Sequence, residues 1–585
     1  MKFWYNPNFW AVTFLIIFAI PALKSLAISN FYTSHDGETH TARVAQYYQA
    51  VLDGQIPPRW AKTLNDGLGS PIFTYIYPLP YVLGSLVHAL GFSFTDSFEI
   101  IMALSFIFSG IFCYLWLNEV WQSKKAAFLG ALFYQWVPYR FLLIYVRASI
   151  SEALAYTFLP LVLYLLTKLS KESNSRLSAV TAISFSLLLL SQNLVALISL
   201  PLIVVYVIFY TLWRKSAKFL ILATFSLLLG FLISAFSYFP ALLERHLIHF
   251  DDAFKLVYKS HFVTLGQLIH SPWGYGFDLP GTVNDEMSFQ VGLAHLLVLA
   301  LAVLIIIALF LKRSKLTRAL VDFLIQRVAA YQINLTLLFL AIFIFSIILM
   351  LQASPTLAIW QIIRPLIIID LPWRLLGIGT LVSAFLASFV VRSLKPGLFL
   401  ILLITAVLVA NRNHLRINQT AVFDDNFFLN YRGTATQLNE FIPKTRHITI
   451  SPSGFDKTIE IIEGDVQVSD LLKKSNQLSF KTQAKIPSRL QVNLFYFPNW
   501  QVFMDGKQLQ PGAEFSIGDE LPLLNSKRDN SGLFVLKPPE GLHHFSFVFR
   551  QSTLEKFSNL ISLVAFSVAL ILIIKKGKNL APIKK

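Results

Sequence analysis

Residues 33–40, Thr-Ser-His-Asp-Gly-Glu-Thr-His, concentrate four ionisable side chains directly after the first apolar segment of the chain. Asp36 and Glu38 supply carboxylates, and His35 and His40 supply imidazoles. A carboxylate beside a substrate hydroxyl acts as a general base, and neighbouring imidazoles tune or orient it. The simpler interpretation is that Asp36 caps the helix that follows. Four ionisable groups so close together exceed what a cap requires, so we expect catalytic Asp36 and Glu38, with His35 and His40 contacting substrate.

The same cluster offers ligands for a divalent cation. The carboxylates of Asp36 and Glu38 and the imidazole of His40 form an oxygen-rich set that suits Mg²⁺ or Mn²⁺. No cofactor is certain from the sequence, so this metal site stays an alternative to metal-free acid–base chemistry. The single cysteine, Cys113, lies inside an apolar run, which excludes a disulfide framework and a cysteine-based zinc site.

The elements that must position this cluster begin with residues 41–53. Apolar side chains at 44, 47, 48, 51 and 52 recur with helical spacing, against polar side chains at 43, 46, 49 and 53. This pattern predicts a short amphipathic helix that lies along the membrane and ends before Gly54, with the acidic cluster at its N-terminus.

Composition identifies the class of protein. Of 585 residues, 55% are hydrophobic and 14% charged, and the mean hydropathy is +0.59. This much apolar surface indicates a protein that crosses the membrane many times. The formal charge of +17 falls mostly in short segments between apolar runs, where positive-inside topology explains it and nucleic-acid binding does not.

Apolar segments that approach the length of a membrane span lie at 9–28, 98–118, 127–145, 152–169, 177–192, 194–212, 218–242, 289–311, 331–351, 373–391, 397–411 and 556–574. The segment Pro71 to Gly91 is interrupted by Pro78 and Pro80, and we expect it to be re-entrant or surface-lying. The first run is expected to be an uncleaved span. This topology gives about twelve helices in the plasma (inner) membrane, with the basic clusters and both termini in the cytoplasm.

Three regions follow from this topology. Residues 1–411 form a transmembrane module with large outer loops at 29–97 and 244–288. Residues 412–555 form an extracytoplasmic β-rich domain, in which Asp505-Gly506 predicts a hairpin turn and Leu542–Phe549 alternates as a strand. Residues 556–585 form the last transmembrane helix and a basic cytoplasmic tail.

Several basic residues fall on the outer side, against the positive-inside trend. Those expected to bind substrate are Arg59, Lys62, Arg147 and Arg374; Arg43 and Arg364 are also on this side. Guanidinium groups at membrane depth fit a lipid phosphate held in a fork. The alternative is snorkelling, or a salt bridge such as Arg147 with Glu152, a residue that we also expect at the substrate.

The second large outer loop carries aromatic residues between glycines, in Ser271-Pro272-Trp273-Gly274-Tyr275-Gly276. Trp273 is typical of a side chain that stacks on a sugar face. Tryptophan is also common at any membrane interface, so both interpretations stay open.

Short motifs throughout the chain carry a family resemblance. They are His35-Asp36-Gly37, Pro57–Trp60, Gly67-Leu68-Gly69-Ser70-Pro71, Tyr145-Val146-Arg147, Ser191-Gln192-Asn193, Pro372-Trp373-Arg374, Phe497-Pro498-Asn499-Trp500 and Met504-Asp505-Gly506-Lys507. With the first span and proline-rich outer loop, they resemble the GT-C superfamily of integral-membrane glycosyltransferases. More narrowly, the chain resembles bacterial membrane proteins labelled 6-pyruvoyl-tetrahydropterin synthase-related and their YfhO-like relatives.

The resemblance implies an α-helical polytopic membrane protein that transfers a sugar from a polyprenyl-phosphate donor to an extracytoplasmic glycan or protein acceptor of the cell envelope. Asp36 matches the first-loop base of that family, and we expect inversion at the sugar carbon. In many members of the family the second carboxylate is adjacent to the first. In this chain Glu38 is two residues from Asp36. The resemblance does not support pterin synthesis, because the chain has no soluble zinc–histidine module.

Two other functions remain open on the sequence. One is a transporter or flippase for a lipid-linked glycan. The other is a non-catalytic glycan-binding or assembly protein whose outer β domain, with Tyr496 and Trp500, is the active part. In each case membrane lipid is a partner and nucleic acid is not.

Overall fold

The computed structural model describes residues 7–27, 30–279, 285–310, 328–363, 369–394, 397–434, 436, 438–446, 454–512, 514–518 and 532–575. The predicted outer Arg364 and most of the predicted cytoplasmic tail lie outside these residues. Helices dominate the first 411 residues and strands the region from 459 to 549. This division agrees with the predicted order of a helical module followed by a β-rich one.

The helices are α1 (Pro7–Leu23), α2 (Gly37–Leu52), α3 (Ile72–Tyr75), α4 (Leu79–Ala89), α5 (Phe94–Trp121), α6 (Lys124–Gln135), α7 (Pro138–Phe141), α8 (Ile150–Glu172), α9 (Ser175–Ser191), α10 (Asn193–Arg214), α11 (Ala217–Ile233), α12 (Ala235–Leu243), α13 (Phe250–Phe254), α14 (Leu265–Ile269), α15 (Leu293–Phe310), α16 (Ala330–Met350), α17 (Ser354–Ile363), α18 (Leu376–Ser393), α19 (Gly397–Asn411), α20 (Asp425–Leu429) and α21 (Thr553–Ile574). A π-helical stretch, Leu142–Val146, continues α7. In the helical core, α5 packs against α6 and α8, and α18 packs against α6, α15 and α16.

Eight helices of the described residues are long and apolar enough to cross a membrane: α1, α5, α8, α10, α15, α16, α18 with its preceding turn, and α21. Two further apolar pairs are bent, α6 with Pro138–Val146 by 46° and α11 with α12 by 72°. Counting each pair as one span gives ten. The remaining predicted segments are α9 and α19, with 17 and 15 residues. The chain is a multi-pass membrane protein, but the predicted twelve spans are not confirmed.

The proline-interrupted segment from Pro71 to Gly91 forms two short helices. α3 has 4 residues and α4 has 11. At about 1.5 Å per residue neither approaches the roughly 30 Å of a bilayer core. The structure therefore agrees with the expectation that this segment does not span.

α2 ends before Gly54 as predicted and begins at Gly37, ahead of the predicted residues 41–53, and it is more deeply packed than an interfacial helix. Arg43 and Gln46, expected on its polar face, are both buried. Arg43 donates a hydrogen bond to the Tyr81 hydroxyl, and Gln46 donates one to the Leu429 carbonyl oxygen. Because α4 and the segment after α19 cover this face, its polar groups bond to protein instead of water.

The β domain contains two packed antiparallel sheets. Its strands are β3 (Ile459–Glu463), β4 (Val466–Lys473), β5 (Gln477–Ala484), β6 (Arg489–Phe495), β7 (Trp500–Met504), β8 (Lys507–Gln508), β9 (Phe515–Ile517), β10 (Leu533–Leu536) and β11 (Gly541–Phe549). One sheet has the order β3-β6-β10-β9 and the other β4-β5-β11-β7-β8. Phe534 of the first contacts Phe547 of the second, with ring centroids 5.1 Å apart. The hairpin turn at Asp505-Gly506 is confirmed, with both residues at positive φ.

The β domain packs on the first loop through Trp60. Its indole is 1% exposed and lies 5.6 Å from the ring of Trp500 and 5.5 Å from that of Phe549. Upstream of the sandwich, β2 (Thr420–Ala421) pairs with β1 (Phe31–Tyr32). The chain after α19 therefore returns to the residues that precede Asp36 before it enters the sandwich.

Candidate functional site

A cavity of about 1680 Å³ lies between the first loop and helices α9 to α11. One part of its wall is polar and includes Asp36, Arg147, Glu152 and Arg374. The other part is apolar and consists of side chains from α10 and α11, among them Leu197, Leu200, Val204, Ile208, Leu220, Leu227, Leu228 and Phe231. Leu200, Val204 and Leu228 are 38–59% exposed, so the apolar part lies at the surface of the helical bundle.

Asp36 occupies the N-cap position of α2 without acting as the cap. Its carboxylate makes no capping hydrogen bond to the described chain, and the Ser34 Oγ accepts from the Gly37 N–H at 3.2 Å instead. The backbone N–H groups of His35 and Asp36 donate to the carbonyl oxygens of Val146 and Arg147, at 2.9 and 3.0 Å. The carboxylate is thereby held at the cavity wall with its oxygens uncommitted to helix capping.

Arg147 and Arg374 share one buried carboxylate. Glu152, which has no exposed surface, accepts from Arg147 Nη1 at 2.5 Å and also pairs with Arg374 Nη1. Arg374 Nη2 donates to Asp370 at 2.9 Å. The Arg147–Glu152 salt bridge, which the sequence offered as the alternative to phosphate binding, is therefore present, and its members also face the cavity.

The Trp373 ring contacts the guanidinium groups of both Arg147 and Arg374. Arg147 Cζ lies 5.0 Å and Arg374 Cζ 5.8 Å from its ring centroid. The indole N–H donates to Asp278 Oδ2 at 2.9 Å, and the same oxygen lies 2.7 Å from His261 Nδ1. Although burial acts to raise the pKa of Asp278, its bonds to His261 and Trp373 hold it below the ordinary value. Asp278 is therefore an anion that fixes the indole and, through it, the arginines.

His35 lies beside the second large loop. Its Nε2 is 3.2 Å from the Tyr275 carbonyl oxygen, and its ring stacks on Phe277 at 4.3 Å. Burial and the charge of Arg147 lower the pKa of His35, against the opposing effect of Asp36. The lowered pKa favours the neutral form of the His35 imidazole beside Asp36.

His40 and Arg43 meet at Tyr81. Arg43 Nη1 donates to the Tyr81 hydroxyl at 3.2 Å, and that hydroxyl lies 3.1 Å from His40 Nδ1. Burial, with the charges of Arg43 and Arg147, lowers the pKa of His40 well below its usual value. The Tyr81 hydroxyl therefore joins Arg43 and His40 in one buried hydrogen-bonded group. Arg43 lines the cavity and is a third cation there.

Glu38 is separated from this site. Burial, followed by the charge of Glu38, raises the pKa of the Tyr431 phenol. Glu38 is not part of the described cavity wall. Asp36, Glu38 and His40 therefore do not converge as the predicted metal ligands. Within the described ranges, no three His, Cys, Asp or Glu side chains are grouped to hold a metal ion.

Three other predicted substrate contacts lie elsewhere in the described structure. Arg59 forms a buried ion pair with Glu555 of α21, Nε to Oε1 3.3 Å. Lys62 lines a separate, smaller cavity. Trp273 stacks on His414 at 4.4 Å and packs against the helical core.

The cavity also contains residues that sequence reasoning did not select. Asp370 had a usable signal, because it lies four residues before Arg374 and an i, i+4 pair of opposite charge forms readily. His261 lies within the second large loop, 244–288, where no local motif distinguishes it. Asp278 had no local signal, since its partners His261 and Trp373 come from other segments of the chain.

Comparison with known proteins adds little to this geometry. No family model matches the chain. It is similar to a protein of Lactococcus lactis subsp. cremoris (strain MG1363) named "Uncharacterized protein", with 24% identity over 246 residues. The match covers 41% of this chain and 40% of the relative.

Proposed function

We propose that this protein is a membrane glycosyltransferase that moves a sugar from a polyprenyl-phosphate donor to an acceptor on the extracytoplasmic side. The observation that carries the proposal is the two-part cavity. An apolar wall from α10 and α11 continues into a polar end with Asp36, Arg43, Arg147 and Arg374. A prenyl-phosphate sugar has the same division between an apolar chain and an anionic head.

The arginines suit the phosphate of such a donor. Guanidinium groups bind phosphate through two parallel hydrogen bonds when their orientation is fixed. Glu152 and Trp373 fix Arg147 and Arg374 from two directions. Preorganised positive charge at a departing phosphate stabilises the transition state, because the donors need no reorientation during reaction.

Asp36 is the proposed general base. It removes the proton of the acceptor hydroxyl, whose oxygen attacks the anomeric carbon as the bond to the donor phosphate oxygen breaks. A single displacement of this kind inverts the sugar carbon and releases polyprenyl phosphate, with the proton left on Asp36. The uncommitted carboxylate at the N-cap position supports this role, because a capping aspartate would instead accept from the helix N–H groups.

The test compares wild type with Asp36→Asn in proteoliposomes supplied with extracted prenyl-phosphate sugars. A positioned base contributes about 10²–10⁴-fold, so we expect transfer to fall by at least about 100-fold with donor binding retained. In cells, lipid mass spectrometry should show one lipid-linked sugar accumulating as one surface glycan is lost. Glu172→Gln, at the half-exposed end of α8, is the matched carboxylate control.

Two results would contradict the proposal. One is near-wild-type transfer by folded Asp36→Asn. The other is movement of the labelled donor across the bilayer by the wild-type protein with no covalent transfer, which would identify a transporter.

A further inference from the structure

A second cavity, of about 210 Å³, lies where the first loop meets the β domain. Lys62 and Gly67 come from the loop, Arg432 follows α20, and Lys457 and Lys473 come from the β domain. A single buried water needs only about 10–15 Å³, so the cavity has room for a small anion together with water. Three separate segments of the chain thus build its wall.

Cations dominate this wall. Lys62, Arg432, Lys457 and Lys473 face one lining carboxylate, Asp456. The carboxylates behind them are committed to protein partners of their own. Asp66 pairs with Arg432 at 2.9 Å and accepts from the Phe455 N–H, and Glu460 accepts from the side chain of Asn493.

The lysines keep donors available. Lys473 Nζ donates to the Gly67 carbonyl oxygen at 2.7 Å, which uses one of its three N–H groups. Lys62 is half-buried and has no hydrogen-bond or ion-pair partner among the described residues. Burial, followed by the charges of Arg432 and Lys62, lowers the pKa of Lys473 to about 8. Lys62, Arg432 and Lys473 line one cavity, so a bound anion would offset the mutual repulsion of their charges.

We propose that this cavity is a phosphate-binding site, formed by Lys62, Arg432 and Lys473, for the phosphate of an ester or a lipid headgroup. A phosphate monoester carries about −1.5 to −2 charges and three strong acceptor oxygens near neutral pH. Lysines bind phosphate as point charges with several N–H donors, and the Arg432 guanidinium adds a planar donor group that also matches phosphate oxygens. The site is separate from the large cavity and does not depend on the proposed transferase activity.

The experiment must report on Lys473 itself, because arginines in the large cavity would also bind phosphate. Full-length protein in detergent is reductively methylated at a pH near the Lys473 pKa of about 8, and each lysine is quantified by mass spectrometry. The probes are inorganic phosphate and glycerol 3-phosphate, against sodium chloride of equal ionic strength. At ten times its Kd, a bound probe should slow Lys473 modification about tenfold, and exposed Lys474 should be unaffected.

Matched variants separate binding from folding. Lys62→Gln removes one cation of the site and should abolish most of the protection, with an unchanged melting temperature. Lys474→Gln removes a neighbouring exposed cation, and the protection of Lys473 by phosphate should remain. Protection by glycerol 3-phosphate in detergent identifies a soluble ester, and protection only in nanodiscs with anionic phospholipid identifies a headgroup. Equal modification of Lys473 with and without phosphate, in both detergent and nanodiscs, would overturn the proposal.

Discussion

Arg59 gives the sharpest test of how the structure reassigns the basic residues. The sequence places it with Arg147 and Arg374 as a phosphate ligand, whereas the structure pairs it with Glu555. The side chains are 2% and 1% exposed, and Arg59 Nη2 also donates to the Phe236 carbonyl oxygen at 2.8 Å and to Asn559 at 3.3 Å. We therefore expect Arg59→Gln to impair stability and not donor binding.

The size of the effect follows from burial. Removing one member of a buried ion pair leaves an uncompensated charge and costs about 3–5 kcal/mol. Unfolding entropies of about 2 cal/mol/K per residue convert this into a fall of roughly 2–4 °C in Tm, if all 585 residues unfold together. Replacing both partners, as Arg59→Met with Glu555→Leu, should restore only part of the loss: no buried charge remains unpaired, but the Asn499 side chain and the Ser552 N–H lose their acceptor on Glu555.

The assay is thermal unfolding in detergent, followed by tryptophan fluorescence, beside binding of a labelled prenyl phosphate. Lys485→Gln is the control, because Lys485 forms an exposed pair with Asp465 that is not part of the described cavity wall, and exposed pairs contribute only about 0–1 kcal/mol. Unchanged Tm with weakened donor binding in Arg59→Gln would refute the reassignment. The same binding assay on Arg374→Gln should show the loss that Arg59→Gln does not.

Two further predictions concern the β domain and its contact with the first loop. Gly69 has φ +84°, and a Cβ there would lie 2.5 Å from Nε1 of Trp60, whereas Gly506 has φ +81° and no atom within 4 Å. Gly69→Ala should therefore lower Tm more than Gly506→Ala, which bears only the backbone cost of about 1–3 kcal/mol; equal losses would exclude the Trp60 clash. His543 Nδ1 lies 2.7 Å from Asp505, and that hydrogen bond raises the pKa of His543 above 6.5. The stability that this hydrogen bond contributes is complete below the pKa of His543 in the unfolded chain and is lost as the pH rises through its pKa in the folded protein. The Tm difference between wild type and His543→Gln should therefore be largest near pH ~5 and shrink above ~6.5. A Tm difference that does not change with pH would contradict this.

Apolar run length predicted the position of the eight long apolar helices among the described residues but not the bend between α11 and α12. The bend between α11 and α12 follows Ser234, a residue with no helix-breaking signal. The Phe236 N–H donates to Ser562 Oγ of α21 at 2.8 Å, and Ser234 Oγ lies 2.9 Å from Ser186 Oγ. Side chains from distant segments of the chain form hydrogen bonds with the polar groups at the bend, and the local sequence does not indicate these partners.

The site was predicted in part, for a similar reason. Local density of ionisable residues was enough to select Asp36, but it also selected Glu38, which is not part of the described cavity wall because helix residues two apart do not share a face. The distinction between Arg59 and Arg374 was inaccessible, since each pairs with a carboxylate far away in the chain. The basic residues predicted on the outer side look alike in sequence, and only the fold distinguishes Arg59, paired with Glu555, from Arg374, paired with Glu152 and Asp370.

The backbone around Arg147 explains how Asp36 and the arginines become one unit. The π-helical stretch Leu142–Val146 ends at Arg147, and Ala148 follows at φ +50°, a conformation that costs a non-glycine residue about 1–2 kcal/mol. The Val146 and Arg147 carbonyl groups in this turn accept from the N–H groups of His35 and Asp36. Gly37 lies close against the turn, because a Cβ there would meet that of Ala148 at 3.2 Å. Strained backbone and π-helical turns concentrate at functional sites, and here both fix the proposed base relative to a proposed phosphate ligand.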